Sequence, residues 1–315
     1  MLPLVIAGAC SVVPAPTLGL PSAPPSTVAT AWVTRTPAPL PVTEVAGAAL
    51  DGRIYLAGGF AADGSPVTAV QVYDPANDSW SRGPELPEPV HHSALVARGS
   101  ELHLVGGYVG PTFENPTDAV RRLDRVSGGW VDGPPLPSPR AAGAAAFDGT
   151  RIVYGGGVGP QRLAGDVVAL EGSSWRRVGA LSMAREHLAA ASDGAGRVWF
   201  LGGRTAGLDT NLGTVDLVQG GSVRALGALP TPRGGVAGFY SPAVGACLVG
   251  GEAPTGTQPE VECVTAGGTV VGLPRLTAAR HGLAAAIVDG VAYALAGGPR
   301  PGLAVSAAVE SLQLI

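Results

Sequence analysis

Four of the five histidines fall in three short stretches, His91-His92, Glu186-His187 and His281, each close behind a leucine-led turn. Aligning six such turns on Leu40, Leu86, Leu136, Leu181, Leu229 and Leu276 puts Glu44, Val90, Arg140, Arg185, Arg233 and Arg280 at one position. The next position reads Val45, His91, Ala141, Glu186, Gly234 and His281, and the one after it Ala46, His92, Ala142, His187, Gly235 and Gly282. A tier of arginines can grip a carboxylate through bidentate contacts, or each can brace its own turn by donating to nearby carbonyls. A histidine beside a glutamate can move a proton near neutral pH. Since side chains alternate along a strand, only one of the two histidine positions is expected to face inward. No metal ligand set is assigned, and no cofactor is called for.

These residues repeat because the chain repeats. Glycine pairs at Gly58-Gly59, Gly106-Gly107, Gly155-Gly156, Gly202-Gly203, Gly250-Gly251 and Gly297-Gly298 recur at an almost constant interval. Before each comes an apolar run, led in by a tight turn as in Asp51-Gly52-Arg53-Ile54-Tyr55-Leu56-Ala57 and Asp289-Gly290-Val291-Ala292-Tyr293. Asp-Gly between two β-type runs signals a hairpin. After each pair comes a loop, then a segment such as Val72-Tyr73-Asp74-Pro75 ending in Trp80, or Leu123-Asp124-Arg125 ending in Trp130. A junction follows, most regular in Leu136-Pro137-Ser138-Pro139-Arg140.

Over residues 32–315 this pattern resembles the kelch family, whose blades have a period near 50. The resemblance implies an all-β, six-bladed propeller with four antiparallel strands per blade. The last strand, Val309 to Ile315, aligns with the third of a blade, and Trp32-Val33-Thr34 supplies the missing fourth. The N-terminal strand thus completes the last blade and closes the ring. Val223 and Val270 stand where tryptophan is expected, in what the count makes blades 5 and 6. In a four-stranded blade the Gly-Gly loops and the junctions emerge on one face. The long loop from Tyr108 to Ala119, carrying Phe113, Glu114 and Asn115, opens there too. The arginine tier then forms a positive collar at the channel mouth, strongest over blades 3 to 6.

Composition narrows the chemistry. The chain has no lysine, so Schiff-base catalysis has no residue to use. The net charge is −4 with scattered arginines, which excludes a nucleic-acid surface. Gly155-Gly156-Gly157-Val158-Gly159 has a phosphate-loop look but no helix behind it.

The first residues follow other rules. Residues 1–10 form a short apolar run ending in Ala7-Gly8-Ala9-Cys10, which resembles a bacterial lipobox with Cys10 as the lipid attachment site. Residues 11–31 are rich in Pro, Ala, Ser and Thr, as in an extended tether. An exported, membrane-anchored lipoprotein of the cell envelope is the expectation, touching the membrane only through its anchor. Cys247 and Cys263 lie on neighbouring strands of one blade, either as a disulfide, which export would allow, or as two buried apolar residues.

Three functions are open. The first is a monomeric module that binds a protein, a glycan or an acidic small molecule at the mouth, through Arg140, Arg185, Arg233, Arg280, Glu44, His91, His92, His281 and Phe113. The second, by resemblance to periplasmic sialic-acid epimerases, is a carbohydrate epimerase or mutarotase with Glu186 and His187 as acid and base. The third, by resemblance to galactose oxidase, is a copper enzyme. Its cysteine-linked tyrosine has no counterpart here, since neither Cys247 nor Cys263 lies at a junction.

Overall fold

The computed structural model describes residues 30–124 and 126–314; the lipobox, Cys10 and nearly all of the tether lie outside that range, as does Arg125. Among the described residues there is no α-helix, only one 3-10 turn at Leu208–Thr210, and six four-stranded antiparallel sheets. In blade 1 the strands are Ala46–Leu50, Arg53–Ala57, Val70–Asp74 and Ser79–Arg82, paired in that order. Blades 2 to 5 repeat the order, and their first strands begin at Ala94, Ala144, Ala189 and Ala237. Blade 6 has Ala284–Val288, Val291–Leu295 and Val309–Gln313, and its outer edge is covered by Val33–Thr34, with Val33 opposite Ser311. The propeller therefore closes as the sequence implies.

The first strands surround the axis, which explains their composition. They read AGAAL, ALVAR, AAAF, AAAS, AGFYS and AAAIV, because six strands converging on a narrow channel leave room only for small side chains. At Gly47 even a methyl would come 2.4 Å from the Cβ of Ala284 in the neighbouring blade. Larger apolar residues sit further out, between the sheets. Ile54, Tyr73 and Leu295 share one buried cluster, and Val153, Phe200 and Val218 another.

Two polar devices tie each blade to the next. Trp130, Trp175 and Trp32 donate their indole N–H to the carbonyls of Pro84, Pro134 and Pro274 in the preceding blade, and Trp80 donates to Thr36. Val223 and Val270, where this device is missing, lie in blades 4 and 5, one earlier than the sequence count made them. The second device is the glycine pair. The second glycine donates to the backbone carbonyl at the arginine position of the next junction, as in Gly59 to Val90 at 2.9 Å and Gly203 to Arg233 at 2.9 Å. In blade 1 the first has no room for a side chain, since a Cβ on Gly58 would lie 2.3 Å from the Val90 carbonyl oxygen and its φ is +67°. By this bonding the equivalent pairs in blades 3 and 6 are Gly156-Gly157 and Ala296-Gly297, each displaced by one residue from the pairs visible in the sequence.

Cys247 and Cys263 stand directly opposite each other on antiparallel strands of blade 5 and form a buried disulfide.

Candidate functional site

The arginine tier is not a collar. Arg140, Arg185, Arg233 and Arg280 are 3%, 0%, 0% and 1% exposed. Each faces a carboxylate on the third strand of its own blade. Arg185 meets Asp216 at 2.7 Å, Arg233 meets Glu262 at 2.7 Å, Arg280 meets Glu310 at 2.8 Å, and Arg140 pairs with Asp166. In two of them the remaining N–H groups go to backbone: Arg185 donates to the carbonyls of Gly202, Met183 and Phe200, and Arg233 to Gly250, Thr231 and Leu248. The guanidinium has five donors in a fixed fork, and here the turn, the second strand and the acid use them. A positive rim over blades 3 to 6 and a carboxylate grip by these residues are therefore corrected: the charges are buried and neutralised in place. Blades 1 and 2 lose both partners together. Val42 and Val90 replace the arginine. Gln71 instead bonds the backbone of Leu40, and Arg121 instead pairs with Glu88 at 2.8 Å.

Glu44 does not belong to that tier. Its junction is two residues shorter than that of blade 2, so Val42 is the counterpart of Val90, Thr43 of His91, and Glu44 of His92. Backbone pairing confirms the shift, since Thr43 bridges Phe60 as His91 pairs with Tyr108 and Glu186 bridges Arg204. The innermost ring is thus Glu44, His92, Ala142, His187, Gly235 and Gly282. All six have left-handed backbone, with φ of 51°, 55°, 53° and 52° at the four that are not glycine. Such values are uncommon outside glycine. Here they accompany a circle of backbone hydrogen bonds around the axis: His92 to Glu44, Ala142 to His92, His187 to Ala142, Gly235 to His187, Gly282 to Gly235, and Val45 back to Gly282.

Strand alternation is suspended at this ring, so both histidine positions converge. His92 Nε2 lies 3.2 Å from Glu44 Oε2 and 3.1 Å from His187 Nε2. His187 Nδ1 lies 3.0 Å from Glu186 Oε2, and the other Glu186 oxygen is 3.1 Å from Arg204 Nε. Arg204 reaches Glu252 at 2.7 Å, Glu252 lies 3.5 Å from His281 Nδ1, and His281 Nδ1 lies 3.2 Å from Glu44 Oε1. Seven side chains from five positions around the mouth close into one polar circuit. Behind it, His91 Nδ1 meets His92 Nδ1 at 2.7 Å while its Nε2 meets the Gly110 carbonyl at 3.1 Å.

Burial sets the electrostatics. It pushes His91 down to about 4 and His92 down to about 3, against the pull of Glu44. Glu44 lies well below the usual carboxylate range, because His92 and His281 outweigh the cost of its burial. Burial opposes a charge on His281 as well, yet its contact with Glu44 raises it above an ordinary histidine. Burial would raise Glu186, but His187 and Arg204 hold it low.

Arg204 and Glu252 escape a reading of junctions alone, since they follow the glycine pairs. Their signal was a charge at the position that holds Phe60 in blade 1 and Tyr108 in blade 2. Those two rings enclose His91, with centroids 4.1 and 5.3 Å away. Phe113, half exposed, leans over His91 and His92 at 5.2 and 5.3 Å. Although sequence assigned no metal ligands, one donor atom each from Glu44, His92 and His187 lie within 4.8 Å of one another. The cavity they line with Ala142, Gly235 and Gly282 measures about 80 Å³.

Comparison with known proteins agrees with this architecture. Residues 41–87 match the Kelch motif family model. The spermatocyte protein spe-26 of Caenorhabditis elegans is 33% identical over 73 residues, 23% of this chain and 13% of that protein. Kelch-like protein 35 of Mus musculus is 29% identical over 76 residues, 24% and 12% of the two chains, and alpha-scruin of Limulus polyphemus 33% over 58 residues, 18% and 6%. These alignments span about an eighth or less of the curated relatives. A solved structure titled "Structure of YjhT" superposes with a TM-score of 0.72 over 89% of this chain and 99% of that one, at 13% identity, which is a likeness of fold. The chain thus carries a Kelch motif at residues 41–87 and has the fold of a six-bladed β-propeller.

Proposed function

We propose that this propeller is a binding module that receives a protein partner at the mouth where junctions and Gly-Gly loops meet. Kelch propellers typically bind proteins, and one observation carries the reading here. Ionisable groups that the repeat does not supply, Glu44, His92, Glu186, His187, Arg204, Glu252 and His281, gather at one mouth beneath the half-exposed Phe113. Exposed Met183 and Leu303 lie on loops of the same face. Exposed aromatic and apolar anchors beside a polar centre suit a protein interface. A cavity of about 80 Å³ is small against the 300–1,000 Å³ or so of small-molecule sites. Glu186, held by Arg204 and His187, is engaged rather than poised to give up a proton, so an epimerase gains no support from it.

We also place the protein outside the cytoplasm, tethered through Cys10; the Cys247–Cys263 disulfide supports an oxidising compartment. Cross-linking in the native cell envelope, followed by affinity capture, tests both parts. Phe113→Ala and Arg204→Gln should abolish the captured partner, Val126→Asp on the opposite face should not, and Cys10→Ser should release the protein from membranes. Capture that is indifferent to the mouth variants would remove the binding assignment.

A further inference from the structure

The contacts of the innermost ring determine where its protons sit. The Gly110 carbonyl can only accept, so His91 carries hydrogen on Nε2. His91 is caged by the rings of Phe60, Tyr108 and Phe113, and a neutral imidazole carries one hydrogen only. Its Nδ1 is then an acceptor, His92 donates to it from Nδ1, and His92 Nε2 is a bare lone pair. On the other side of the axis, His187 Nδ1 lies 3.0 Å from the Glu186 carboxylate, an acceptor only, and a hydrogen placed on Nδ1 leaves Nε2 as a second lone pair. The two lone pairs face each other at 3.1 Å, and the Glu44 carboxylate oxygen stands 3.2 Å from His92 Nε2. Three acceptors meet with no donor between them.

We propose that Glu44, His92 and His187 form a divalent transition-metal site, of the kind that binds Zn²⁺, on the propeller axis. Bonds of about 2.0–2.1 Å arranged as a tetrahedron place neighbouring ligand atoms about 3.3 Å apart; two of the three edges, 3.1 and 3.2 Å, already have that size, and the third, between Glu44 and His187, lies within 4.8 Å. Two imidazoles and a carboxylate select zinc and its neighbours over magnesium or calcium. Every ligand also has an outer partner that orients it. His187 is backed by Glu186 and then Arg204, His92 by His91 and then Gly110, and Glu44 by His281. The three remaining ring positions, Ala142, Gly235 and Gly282, carry no side chain that fills the space, and the cavity of about 80 Å³ leaves the fourth coordination position to water.

The test uses full-length protein treated with chelator and desalted, titrated calorimetrically with ZnCl2 and with MgCl2, plus anomalous diffraction at the zinc edge from soaked crystals. One Zn²⁺ per chain and no Mg²⁺ binding are expected, with the anomalous peak between the three side chains. His92→Gln and His187→Gln should each remove the site. Glu186→Gln should weaken it by about 10–100-fold, and His103→Gln, away from the ring, should leave it unchanged. Thermal melts establish that each variant folds. Should His92→Gln fail to fold, His187→Gln and the ligand-field spectrum of the Co²⁺-loaded wild type decide, with four- or five-coordinate bands supporting the site and octahedral bands opposing it. An anomalous peak only at His103 and Glu101, unchanged affinity in the folded histidine variants, or no zinc binding would each overturn the proposal. In the last case a proton shared between His92 and His187 would be what holds the ring together.

Discussion

Two tiers of positions lie two residues apart in every junction, and the polar residues on them do opposite things. Arg185 is wholly buried and bonded at every arm, while His187 points at the axis with its Nε2 3.1 Å from that of His92. The arginine recurs because the blade needs it: where it is present an acid waits on the third strand, and where Val42 or Val90 replaces it the acid is absent as well. The axial residues do not recur, since the ring reads Glu, His, Ala, His, Gly, Gly. In a repeat protein, what every blade supplies is architecture, and what single blades add is the candidate for function.

The widest gap between the tiers should appear in stability. Arg185→Ala leaves Asp216 buried without its partner and is expected to cost about 3–5 kcal/mol in urea denaturation, whereas His187→Gln should shift the midpoint far less. Comparable losses in the two variants would erase the distinction between brace and site. Next in size is the disulfide, a brace that belongs to one blade only. It closes a separation of 16 residues, and replacing both Cys247 and Cys263 by Ala should cost about 3 kcal/mol. An unchanged midpoint under non-reducing conditions would show that blade 5 does not depend on it.

The tiers also differ in how they could be read from sequence. Propeller, blade count and closure by Trp32-Val33-Thr34 were legible, because they rest on local signals repeated six times: Asp-Gly turns, glycine pairs and proline junctions. The axial ring was legible only in part. His91, His92, Glu186, His187, His281 and Phe113 lie together at the mouth, but two physical facts hid from the sequence how they meet. A shorter junction moved Glu44 by two places, and left-handed backbone at Glu44, His92 and His187 broke the alternation that would have kept the two histidine positions apart. The arginines were misplaced for another reason. Their partners, Asp216, Glu262 and Glu310, lie about 30 residues downstream, and no local pattern announces the pairing.

Below the ring the channel itself provides a sharper test of architecture without charge. Gly47→Ala puts a methyl against Ala284 at 2.4 Å between two first strands that cannot retreat, and overpacking of this kind costs about 1–3 kcal/mol. Gly52 sits in the Asp-Gly turn with φ of +73° and open space around it, so Gly52→Ala should lose only the glycine preference, about 1 kcal/mol. Equal midpoints for the two variants would mean that the first strands can spread, and that the ring above them is less rigidly held than its backbone circle implies.

The smallest effect concerns the one histidine outside both tiers. His103 lies on the second strand of blade 2, only 3% exposed, 3.4 Å from Glu101. Burial depresses its pKa against the pull of Glu101, with Arg98 and Arg122 adding to the depression. The folded chain therefore takes up this proton less readily than the unfolded chain, whose histidine titrates near 6.5. Stability from this site is complete above that pH, falls as pH drops through 6.5 toward the folded value, and is constant below it. His103→Gln should accordingly flatten the fall in urea midpoint between pH 7 and pH 5, relative to wild type, by the share this one group contributes. His91 and His92, which burial also depresses, contribute a slope of the same sign. If the variant and the wild type lose stability in parallel across that range, His103 takes up its proton equally well in the folded and unfolded chain and the assigned burial effect is wrong.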